Sequence, residues 1–151
     1  MMKVLFVLIA GIPAISLQAQ AKKADDAQIR ESLLKIVPEA KVVRQDGHEY
    51  KLTTVKQTLM EVEFNRDGSI DDASGDAAAA GDVFVPGNGM LTLAQALESL
   101  NKAGKTPSGD WSYKKSFMHG WVYELEGFEN GKKMEYLISA KDGALVKEKK
   151  D

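Results

Sequence analysis

Side chains able to carry out chemistry are few in this chain and poorly spaced for it. There are two histidines, His48 and His119, and no cysteine. No Ser or Asp is spaced to draw either histidine into a hydrolase triad, and a two-histidine metal site needs both to meet a carboxylate. Both read as surface residues, His48 on the solvent side of a strand and His119 in a turn before Gly120. The run Asn65-Arg66-Asp67-Gly68-Ser69-Ile70-Asp71-Asp72 is acidic like a calcium loop. Its Gly comes too early, however, and no Glu stands at the twelfth position. With Asp76 and Asp82 it would attract Ca²⁺ only weakly. A hairpin turn running into a solvated acidic linker is the better account. No catalytic residue, metal ligand or cofactor is expected.

Aromatic residues stand out more. Trp111, Tyr113, Phe117, Trp121 and Tyr123 fall within thirteen residues. In strands, Trp111, Tyr113 and Phe117 would share one face, as would Trp121 and Tyr123. One face must be core, yet a small sheet under one helix has room for only some of them. Surplus Trp and Tyr on the open face would form an anchor cluster of the kind protein and peptide interfaces use. Trp111, Tyr113, Trp121 and Tyr123 are the candidate binding residues.

The elements that would position them begin after an export signal. Lys3, the apolar run Val4–Ala10 and Ala19-Gln20-Ala21 form a secretory signal pattern over residues 1–21. No cysteine follows the run, which excludes a lipid anchor. Removing residues 1–21 takes away one Lys and no acid, leaving 19 basic against 22 acidic residues, a net of −3. That balance provides no electrostatic footprint for nucleic acid or an anionic membrane surface. The expected location is the periplasm or the secreted space, with no membrane attachment after cleavage.

Ile29, Leu33, Leu34, Ile36 and Val37 line one face of a helix closed by Pro38, with Asp25 or Asp26 as its cap. Short strands follow at 41–44, 49–55 and 58–64, with turns at Asp46-Gly47 and Asn65–Gly68; another begins at Ser69-Ile70. Residues 72–90 are rich in Asp, Ala and Gly and read as a linker, in which Val83-Phe84-Val85 would form at most a short edge strand. A second helix, capped by Thr92, presents Leu93, Ala96, Leu97 and Leu100 and ends at Gly104. Strands are then expected at 111–117, 121–127 and 133–140, with a short piece at 144–147.

The order helix, meander, linker, helix, meander suggests a duplication. Gly47-His48-Glu49-Tyr50-Lys51-Leu52 lies over Gly120-Trp121-Val122-Tyr123-Glu124-Leu125 as a shared G-x-x-Y-x-L, and Met60–Phe64 lies over Met134–Ile138. The fold expected is therefore α+β: two tandem repeats, residues 22–71 and 91–151, each one helix packed on a small antiparallel meander. Joined edge to edge, the repeats would share a core and bury one exposed edge of each sheet.

At these residues the sequence resembles the PepSY family. The second copy carries the resemblance in Leu91-Thr92-Leu93-Ala94-Gln95-Ala96-Leu97, in Trp121–Leu125, and in Met134–Ala140 running into Lys141–Leu145. The first copy is similar to the PepSY-like variant through Ile36–Val42 and Asp67–Ile70. The resemblance implies a fold similar to that of β-lactamase inhibitor protein and a non-catalytic role. It also implies a protein or peptide partner, such as a secreted peptidase that it would inhibit or modulate. The alternative from another class is an envelope sensor or carrier for Ca²⁺ or a small ligand, motivated by the acidic linker.

Overall fold

The computed structural model describes residues 24–78, 81 and 83–150. The signal segment at 1–21, and Asp82, lie outside the described residues. Helix α1 spans Asp26–Ile36, and strands β1 to β4 follow at Lys41–Asp46, Glu49–Thr53, Leu59–Phe64 and Ile70–Gly75. Helix α2 spans Leu93–Lys102 and leads into β5 to β8 at Pro107–Ser116, Gly120–Glu129, Lys132–Ser139 and Leu145–Lys150.

Both helices start where their caps predict. Asp25 accepts the Gln28 backbone N–H while the Gln28 side chain accepts that of Asp25, and Thr92 and Gln95 repeat the arrangement at α2. These reciprocal bonds satisfy two N–H groups that the first helical turn cannot. The tight hairpins are equally local. Asn130 and Gly131 both take positive φ, at 51° and 75°, the turn geometry that Asn-Gly favours between antiparallel strands.

The expectation of two helix-plus-small-meander repeats is not met. All eight strands form one antiparallel sheet in strict sequence order, β1 to β8, beneath a single core to which both helices contribute. The strand that makes the difference is β4. It pairs with β3 on one side and with β5 on the other, at Asp72↔Lys114, Ala73↔Tyr113 and Ser74↔Ser112, so no sheet boundary exists where the linker was expected. Ile-Asp-Asp-Ala-Ser-Gly has poor strand propensity, and only its Ala73 is buried. Pairing on both sides supplies what its side chains do not.

The rest of the expected linker is not a solvated tether either. Val83–Val85 forms no strand, yet Phe84 is fully buried. Its ring lies 5.2 Å from Trp111, 5.3 Å from Tyr113 and 6.3 Å from Tyr123. Backbone bonds from Val85 N to Ile36 O and from Leu93 N to Phe84 O tie this segment to both helices. The Trp111 indole packs so closely on backbone that a Cβ on Gly75 would approach its Nε1 to 2.9 Å, and one on Gly81 would come closer still. Only Gly fits at either position.

Strand alternation then divides the sheet into two faces. Tyr50 and Leu52 of β2, Met60, Val62 and Phe64 of β3, and Tyr123 and Leu125 of β6 all point into the core with the helices. The alternate residues form a second face on which neither helix packs, and on it Val122 alone among the β6 residues is fully buried.

Candidate functional site

The uncovered face is defined by register. One row across it reads Glu49↔Glu63↔Asp72↔Lys114↔Val122↔Ser139. The next reads Lys51↔Glu61↔Ser74↔Ser112↔Glu124. Three carboxylates thus stand directly opposite one another on neighbouring strands, an arrangement that destabilises a sheet. Nearby cations offset part of this. Lys51 Nζ lies 3.0 Å from Glu61 and 3.8 Å from Glu49, and Lys114 pairs with Glu124.

The repulsion shows in the acids themselves. Asp72 is held above the usual carboxylate range, first by partial burial and then by Glu63, Asp71 and Glu61. Glu49 is also raised, chiefly by Glu61. Both shifts say that the negative form is disfavoured here, and a cation or a basic side chain brought to this face would relieve it.

At one end of the face, over β3 to β5, a cleft of about 310 Å³ opens. Leu59, Met60 and Trp111 give it apolar lining, and Lys51, Glu61, Asp76 and Asp110 supply the charges around it. Leu59 is 60% exposed, which is high for a leucine in a strand. The cleft joins an apolar surface to an acidic rim, and no nucleophile–base pair lies within it.

The aromatics singled out by sequence lie mainly elsewhere. Trp111, Tyr113 and Tyr123 are buried on the helix-covered face. Burial pushes the Tyr113 hydroxyl up to about 12 and Tyr123 well above its ordinary value, while Tyr123 donates to Leu91 O at 2.7 Å. Trp121 is half-buried and stacks on Tyr113, with centroids 4.7 Å apart and rings 4° from parallel. The structure brings all four together, but as one packed cluster capped by Phe84 rather than as an open-face anchor. Only the edge of Trp111 reaches the cleft. Phe117, the fifth of the group, is fully exposed beside Met118 at the tip of the β5–β6 hairpin. What sequence reasoning missed is the carboxylate row. Its members sit at the polar positions of alternating strands, but their alignment depends on register between strands.

The other candidates resolve simply. His119 is exposed in the hairpin turn. His48 is half-buried in the β1–β2 turn, with its Nδ1 shielded from solvent and unbonded. The Asn65–Ser69 loop is a turn whose Asp67 accepts from both the backbone and the hydroxyl of Ser69, at 2.9 and 2.6 Å, so this carboxylate is engaged within the turn. Among the described residues, no three His, Cys, Asp or Glu side chains are placed to hold a metal ion.

The fold is thus a single antiparallel sheet with two helices on one face and an open, charged face on the other. No family model matches the chain, and no curated protein matches it. Two solved structures are similar. One is a DUF2874 family protein from Bacteroides uniformis, 14% identical with a TM-score of 0.40, the match covering 84% of this chain and 90% of that one. The other is a protein from Bacteroides eggerthii proposed to be periplasmic, 16% identical with a TM-score of 0.37, covering 85% and 90%.

Proposed function

We propose that this protein is an exported, non-catalytic binding module whose open sheet face takes up a protein or peptide partner carrying basic side chains. The observation that supports this reading most is the aligned row Glu49–Glu63–Asp72 next to a cleft with an apolar lining. Such a row weakens the free protein. A partner's Lys or Arg would satisfy the row with its charge and the cleft with its aliphatic stem. Export rests on the signal pattern of residues 1–21. Among the described residues, no helix is long and apolar enough to cross a membrane. A secreted peptidase remains the partner class that the PepSY resemblance implies.

The test is capture from an envelope extract with the wild-type protein and with Glu63→Lys, followed by titration of the captured partner and a peptidase inhibition assay. The expected result is a partner lost on charge reversal, with affinity that falls as salt rises. Capture unaffected by Glu63→Lys and by salt would refute the acidic face as the site.

A further inference from the structure

We propose that the β1 edge of the sheet is a docking surface for a second copy of this chain, the two β1 strands pairing antiparallel about a two-fold axis. The two edges of the sheet differ in character. β8 reads Leu-Val-Lys-Glu-Lys-Lys, and its lysines guard it against strand addition. β1 reads Lys-Val-Val-Arg-Gln-Asp, and its Val42 and Val43 are 41% and 64% exposed.

The apolar surface there extends onto α1. Arg30 donates to Gln45 of β1 at 3.2 Å, so that side of the helix leans over the edge strand. Leu34, one turn further along the same side, is 53% exposed. Leu34, Val42 and Val43 therefore make an apolar strip along the edge, with Lys41 at one end of the strand and Asp46 at the other.

That strand is complementary to itself. Antiparallel pairing centred between Val43 and Arg44 sets Lys41 against the second copy's Asp46, and by symmetry does so twice. It also sets Val42 against the second copy's Gln45. The irregularity between Val42 and Arg44 makes the faces agree. An unbroken strand would put Lys41 and Asp46, five residues apart, on opposite faces. Here Lys41 pairs with Thr53 and Asp46 with Glu49, which places both on the open face, while Val42 and Gln45, opposite Leu52 and Tyr50, share the helix side. A continuous two-fold sheet requires this parity. It also joins the open faces of the two copies into one surface.

Sedimentation equilibrium of the purified protein, from about 1 μM to several hundred μM, tests the proposal. The expected result is a mass that rises to twice that of one chain. Leu34→Lys and Val43→Lys should each leave a monomer over that range, with an unchanged circular dichroism spectrum. Lys41→Glu and Asp46→Lys should each weaken association roughly tenfold, and the double swap Lys41→Glu/Asp46→Lys should restore it. A monomer at every concentration, a dimer indifferent to Leu34→Lys and Val43→Lys, a double swap no better than the singles, or a mass growing beyond the dimer would each overturn it.

Discussion

Trp111 and Phe117 are six residues apart on one hairpin and have opposite fates. Trp111 is 3% exposed, held between Phe84, Gly75 and Gly81, whereas Phe117 projects wholly into solvent. Trp111→Ala is expected to cost about 3–5 kcal/mol through the cavity it leaves, and Phe117→Ala less than about 0.5 kcal/mol. Urea unfolding followed by circular dichroism measures both, and equal losses would contradict this placement. The sequence marks both residues as aromatic and places both near strand ends. It does not show which of them is covered, because the cover for Trp111 comes from Phe84, in a segment whose composition reads as a tether.

At the scale of elements, two charge arrangements predict opposite pH behaviour. Lys105, just after α2, donates to Glu129 of β6 at 3.0 Å and to Glu148 of β8 at 2.9 Å, and Tyr136 of β7 donates to Glu129 at 2.8 Å. These bonds hold Glu129 below the usual carboxylate range, first through Lys105 and then through Tyr136. Its contribution is therefore present above the ordinary value of 4.5 and is lost as pH falls through the depressed one. Glu129→Gln is expected to lower stability at pH 7, with the difference from wild type shrinking in acid. Asp72 has the reverse sign. Its value is raised, so the wild type loses stability as pH climbs through the ordinary range near 3.8 and up to the raised value. Asp72→Asn is expected to gain about 0.5 kcal/mol at pH 7 and to match the wild type once Asp72 is protonated. Thermal melts of the wild type and both variants across the acid range check the two signs together. The helices, their caps and six of the strands are legible in the sequence, because caps, turns and periodicity are local. Of β4 only the start at Ser69-Ile70 is legible, because the rest of Ile70–Gly75 is held by neighbours on both sides rather than by its own side chains.

For the molecule as a whole, the consequence of β4 is that the described residues form one sheet with one core, two edges and one open face. Opposite ends of the sheet then have different tasks in the readings proposed above. The middle of the open face presents carboxylates, the β8 edge is shielded by lysines, and the β1 edge is left apolar and self-complementary. The sequence by itself determined the composition limits, the helix boundaries and the hairpin turns. These depend on residue types and on spacings of a few positions. Only the tertiary structure decided that the two meanders are a single sheet and that the aromatic group is core. It also aligned Glu49, Glu63 and Asp72. The physical reason is that strand pairing joins residues far apart in the chain, and register fixes at once which side chains face solvent and which charges meet.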